Sequence, residues 1–230
     1  MDFSYLDKNI AEVRERIECA KREAGREDPV TMVVAAKSGE VDEINYLHRV
    51  HGVNDIGENR VQQLLDRYDK LDREGLRIHF IGHLQTNKVK YIVDKVDMIH
   101  SVDSERLAAE IDRQAAKHGM VMKVLVEVNV GREENKDGVM PEDAAALCAA
   151  IASYPNLALC GLMTMAPVCE EHAEYRKYFD EISALALDIW AKTLDNKKRP
   201  ILSMGMSESF EPAIASGATV VRVGRRLFKK

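Results

Sequence analysis

The 230-residue chain has no closely spaced cysteine pair: Cys19, Cys148, Cys160 and Cys169 are scattered, without the C-x-x-C spacing of a zinc knuckle or a thiol redox motif. All four are expected to be reduced structural side chains, because nothing near them in sequence supplies the electropositive setting of a reactive thiolate. Long hydrophobic runs are missing too. The longest, Ala144 to Ala152, falls short of the roughly 18 residues that suggest a membrane span. The opening MDFSYLDKNIAEVRERIE is charged from its second residue and has no apolar core, so no secretory signal is read and a cytoplasmic location is expected. Nor is there an excess of positive charge. Thirty-three Lys and Arg against 38 Asp and Glu give a formal charge of −5, which removes the general basic field that draws proteins onto nucleic acid or anionic lipid. No P-loop and no G-x-G-x-x-G run occur.

What is present is a composition of 46% apolar and 31% charged residues, enough to bury a substantial core. No glycine-rich linker or low-complexity tract divides it, so residues 1–230 are read as one domain. Residues 5–24 carry Leu6, Ile10, Val13, Ile17, Ala20 and Ala24 at three- and four-residue spacing, an amphipathic helix stopping near Gly25.

After that helix, short runs rich in β-branched residues recur at 30–36, 53–56, 77–81, 97–102, 121–130, 157–163, 200–203 and 219–223. Helical stretches are expected between them, at about 41–50, 58–74, 86–95, 103–118, 141–153, 170–194 and 207–216. Eight strands alternating with helices predict an α/β fold, a single parallel (β/α)8 TIM barrel with an additional N-terminal helix; a doubly wound open sheet is the alternative. The eighth strand ends at Val223, so its following helix is expected to be rudimentary and the N-terminal helix to cover that side.

In such a barrel the reactive groups stand at the carboxyl ends of the strands, with phosphate held after strands seven and eight. Lys37 closes the run VTMVVAAK, and strand alternation points it with Thr31, Val33 and Ala35 into the barrel mouth. Low-dielectric surroundings there, with a nearby cation such as Arg222, would leave a neutral amine able to attack an aldehyde. The alternative is an ammonium that simply reaches solvent. Ser207 and the main-chain amides after Gly205 and Gly224 can form an anion site, although small residues are common wherever strand turns into helix. Arg222 projects inward beside Val220, either toward a ligand or into a structural ion pair. Met206 can lie against a ligand ring or fill a gap. His79 and His83 stand four apart in a strand and its following loop, with no third ligand in view, so no metal site is expected.

Six motifs in order, VVAAKS, GENRVQQ, IHFIGHLQTNK, VNVGREENKDGV, GLMTMAP and LSMGMSESFEPAIASGATVVRVG, resemble the pyridoxal 5′-phosphate homeostasis family, which is alanine racemase N-terminal-domain-like. The resemblance runs from about residue 30 to 228. It implies that Lys37 forms the internal aldimine with pyridoxal phosphate, that Asn59 sits beside the ring and that Arg222 faces the pyridine nitrogen. It further implies that Ser207 and the amides of Gly224 and Arg225 hold the phosphate, and that the IHFIGHLQTNK and GLMTMAP stretches line the same mouth. The chain departs from the family pattern at Arg225, where a small hydroxyl residue is usual, and at His83, where many members have proline.

Arginine cannot accept a proton, so a ring nitrogen facing Arg222 stays neutral and the cofactor's electron sink is weak. None of the seven tyrosines is obviously placed as a second base. The function expected is therefore a carrier without catalytic residues, which buffers pyridoxal phosphate or delivers it to recipient apoenzymes. A weak racemase or decarboxylase, and a Schiff-base aldolase without cofactor, are the alternatives; the last requires a colourless protein. Lys136, after the fifth strand, is a candidate transient acceptor of the aldehyde or a solvated loop lysine. No long apolar stripe calls for a dimer, so a monomer is expected.

Overall fold

The computed structural model describes residues 2–192 and 199–229. After the N-terminal helix α1 (Ser4–Glu23), eight strands follow: β1 (Thr31–Ala35), β2 (Asp55–Glu58), β3 (Arg77–Phe80), β4 (Met98–Val102), β5 (Met122–Val128), β6 (Leu157–Thr164), β7 (Ile201–Ser203) and β8 (Val220–Val223). They close in sequence order into a parallel barrel, with β8 pairing back onto β1 from Thr31↔Val220 to Val34↔Val223. Parallel strands need crossovers, and here these are α2 (Val41–His51), α3 (Val61–Arg67), α4 (Glu105–Lys117), α5 (Ala144–Ala152), α6 (His172–Lys192) and α7 (Phe210–Ala215). The expected (β/α)8 barrel is what the chain forms.

Several boundaries differ from the sequence reading. The second strand extends to Glu58 because Gly57 and Glu58 are buried against the barrel, so the helix expected from 58 starts only at Val61 and gives way to a 3-10 turn at Tyr68–Lys70. The helix expected at 86–95 is a 3-10 segment, Thr86–Tyr91. Val89 and Ile92, both fully buried, stand three apart and stack on one side of a three-residue-per-turn helix, while the β-branched Thr86, Val89, Ile92 and Val93 disfavour the α form. Positions 193 and 194 of the expected sixth helix lie outside the described residues.

Helix α1 buries Leu6, Ile10, Val13, Ile17 and Ala20, and each of the four larger side chains so removed from water contributes roughly 1.5–3 kcal/mol before entropy costs. It lies where the helix after β8 would stand, against α7. Arg16 pairs with Glu211 and its guanidinium lies 5.0 Å over the Phe210 ring. Asn9 Nδ2 donates to the carbonyls of Leu227 and Lys229, each at 2.9 Å, so helix and C-terminal segment are tied together. Among the described residues no helix is long and apolar enough to cross a membrane.

Candidate functional site

At the carboxyl end of β1 the chain leaves the strand at Ala35 and makes one 3-10 turn, Ala36–Ser38. The strand alternation that would sink Lys37 into the barrel therefore stops two residues short, and Lys37 is exposed rather than buried. What is held firmly is its backbone. Arg67 Nη1, from α3, donates to the carbonyl of Ala36 at 2.9 Å and to Glu58 Oε1 at 3.2 Å, and Gln63 Nε2 donates to the carbonyl of Lys37 at 3.3 Å. Glu58 is fully buried; burial pushes its carboxyl up to about 7 against the opposing pull of Arg67.

Lys37 opens onto a cavity of about 460 Å³ at this end of the barrel, which Asn59, Arg60, His83, Glu127, Asp137 and Met165 also line. The loops after β2 and β3 meet here at close quarters. A Cβ on Gly82 would stand 2.2 Å from the carbonyl oxygen of Asn59, so only glycine permits the approach. The Asn59 side-chain oxygen is buried and has no hydrogen-bond partner. Glu127 is 4% exposed and its carboxyl is raised to about 7, first by burial and then by Asp137 and Asp103, with Arg222 pulling the other way.

Arg222 does point inward, as β8 alternation requires, and is 4% exposed. Its acceptors are neutral: Nη1 donates to the carbonyl and hydroxyl oxygens of Ser203 at 2.7 and 2.8 Å, and Nη2 to the carbonyl of Thr164 at 2.9 Å. Without a direct carboxylate partner, burial lowers it to about 10. From Ser203 the contacts continue across the interior: Ser203 Oγ to His100 Nδ1 at 3.0 Å, His100 Nε2 to His79 Nδ1 at 2.8 Å, and His79 Nε2 to Asp55 Oδ1 at 3.0 Å. Burial, and then the nearby His79 and Arg222, hold His100 well below its usual value, hence neutral. A guanidinium only donates and a carboxylate only accepts, so the two ends of the chain are fixed: Arg222 donates to Ser203, and His79 donates to Asp55. Burial raises Asp55, but hydrogen bonds from His79 and Arg77 prevail and keep it at about 2.

The loops after β7 and β8 also meet. Ser207 is 4% exposed, and its Oγ accepts from the Gly224 amide at a long 3.4 Å. Gly205 has φ +88°, and a Cβ there would lie 2.6 Å from that of Ala213. Met206 is part-exposed, its amide donating to Ser209 Oγ at 3.1 Å. The structure thus brings Lys37 and Asn59 to one cavity and Ser207 and Gly224 into contact. The Arg225 side chain instead lines a separate depression beside α1, with Lys8, Glu12 and Glu208. Lys136 is exposed in the turn after β5.

Residues 8–230 match the family model described as alanine racemase, N-terminal domain. A pyridoxal phosphate homeostasis protein of Aquifex aeolicus is 43% identical over 222 residues, covering 96% of each chain. The chain belongs to this family. A crystal structure of an unknown protein from Bifidobacterium adolescentis superposes with a TM-score of 0.91 at 33% identity, covering 99% of this chain and 97% of that one. The structure of PipY from Synechococcus elongatus with PLP bound gives 0.81 at 28% identity, over 97% and 100%.

Seen within that family, the IHFIGHLQTNK stretch brings Ile81, Gly82 and His83 to the cavity and GLMTMAP brings Met165. Sequence reasoning missed Glu58, Arg67, Glu127, Asp137 and the His79–His100–Ser203 chain. The available signal was parity: His100 alternates with Met98 in β4 and Glu127 with Leu125 in β5, polar side chains on the face that those apolar neighbours turn inward. Among the described residues no tyrosine lines the cavity.

Proposed function

We propose that this chain, working as a single monomeric barrel domain in the cytoplasm, holds pyridoxal 5′-phosphate through a Schiff base at Lys37 and buffers it or delivers it to recipient apoenzymes. The observation that carries the reading is the pairing, in one cavity, of a primary amine on a backbone pinned at Ala36 and Lys37 with the unpartnered buried oxygen of Asn59. The donor set fits the group. When bound, the cofactor supplies an aldehyde that condenses with a primary amine and releases water. Lys37 offers that amine, and its exposure leaves the linkage accessible to competing amines from solvent. Asn59 Oδ1 awaits a donor. Arg222, donor only, would leave a ring nitrogen unprotonated. The long Ser207–Gly224 hydrogen bond is one that a phosphate, a stronger acceptor, replaces readily, with the Arg225 amide beside it. Met206 stands at the rim of the same turn.

The test is an absorption spectrum of the purified protein before and after borohydride reduction, with the modified residue mapped by mass spectrometry. Pyridoxyl at Lys37 is expected; modification only elsewhere rejects the reading. A second reading, weak racemase or decarboxylase activity, is favoured by Glu127, a carboxyl held near neutrality in the same cavity. It predicts sustained turnover of single-enantiomer amino acids that Glu127→Gln abolishes.

A further inference from the structure

We propose that His83, Asp103 and Asp137 form a binding site for one divalent first-row cation, of the manganese or zinc class, at the barrel mouth. They come from three successive loops, after β3, β4 and β5, and their ligand atoms all lie within 4.8 Å of one another. His83 Nδ1 and Asp137 Oδ1 are 3.0 Å apart. Two ligands each about 2.1 Å from an ion and at right angles stand about 3.0 Å apart.

A second observation points to a cation independently. Glu127 is 4% exposed, its carboxylate makes no hydrogen bond or ion pair among the described residues, and it faces the cavity that His83 and Asp137 line. Among the described residues no Lys or Arg is paired with Asp103, Asp137 or Glu127, and beyond His83 the one side-chain hydrogen bond to these carboxylates is from Ser104 Oγ to Asp103 Oδ1, at 3.0 Å. An imidazole with carboxylates suits manganese or zinc, whereas calcium takes six to eight oxygens. Three protein ligands leave positions open toward the cavity, and an ion there would stitch three loops together beside Lys37. The site rests on its own side chains and goes beyond the cofactor reading.

The test uses the full chain, stripped with a chelator and titrated with Mn2+ by electron paramagnetic resonance, with Zn2+ as competitor. One ion per chain is expected, displaced by Zn2+, with affinity reduced roughly tenfold or more by Asp137→Asn and lost in Asp103→Asn/Asp137→Asn. Slower proteolysis of the turn at 131–139 on Mn2+ addition is the second expected readout. Substoichiometric uptake at millimolar Mn2+ and Zn2+, or undiminished binding by the double variant, overturns the proposal. Lys37→Ala should bind the ion as well as the parent does, which separates this outcome from failure of the cofactor reading.

Discussion

His100 Nε2 meets His79 Nδ1 at 2.8 Å inside the barrel, and this one contact joins the Arg222 end of a hydrogen-bonded chain to the Asp55 end. Replacing His100 with leucine leaves His79 Nδ1 without its partner in a buried interior, while Ser203 Oγ keeps its bond from Arg222 Nη1. An unsatisfied buried group costs about 1–3 kcal/mol, so His100→Leu should lower unfolding free energy by on the order of 2 kcal/mol in urea. A change within experimental error would mean that the chain contributes nothing to stability.

Glu58 gives a pH dependence of definite sign. Its folded value, about 7, lies above the ordinary 4.5 because the carboxyl is buried. The folded state therefore holds the proton more tightly than the unfolded one, and the stability this group contributes is complete below 4.5 and lost as pH rises toward 7. The loss is on the order of 1 kcal/mol per pH unit in that window. Glu58→Gln still accepts from Arg67 and should flatten that part of the profile in urea titrations between about pH 5 and 7; identical slopes would remove Glu58 as the source.

Lys37→Ala should leave the fold intact, because the side chain is exposed and takes part in no hydrogen bond or ion pair among the described residues. The expected stability change is within about 0.5 kcal/mol. The yellow imine absorbance should disappear. Full retention of the chromophore eliminates Lys37 as the anchor.

Gly82→Ala puts a methyl 2.2 Å from the Asn59 carbonyl oxygen, so the loop after β2 must move. Overpacking of this kind costs about 1–3 kcal/mol. Both thermal stability and affinity for pyridoxal phosphate should fall, the latter because Asn59 is displaced; unchanged affinity would detach Asn59 from the site.

Strand parity and short β-branched runs made the barrel legible, since both depend only on local spacing. They fail where the chain turns. Alternation carried past Ala35 predicts an inward Lys37, whereas a 3-10 turn intervenes and exposes it. The 86–95 segment shows the same limit: its apolar residues mark a buried face, but the choice between α and 3-10 depends on what Val89 and Ile92 pack against. The cavity's acidic side was illegible for another reason. Asp103 and Asp137 lie 20 and 54 positions beyond His83 and meet it only when three loops converge. Arg67, a helix residue with nothing to single it out, acquires its place through Glu58, at the end of the preceding strand, and Ala36, 31 positions earlier.

Helix α1 rests partly on α2, through Tyr46 to Asp7 and Arg14 to the His51 carbonyl, but also on α7 and the segment after β8, which are made much later. Until the ribosome has released most of the chain, the stripe from Leu6 to Ala20 has only part of its native surface to cover it. A stalled or truncated nascent chain would therefore display a sticky amphipathic helix. Closing the seam between β1 and β8 consequently waits on one of the last strands to be made.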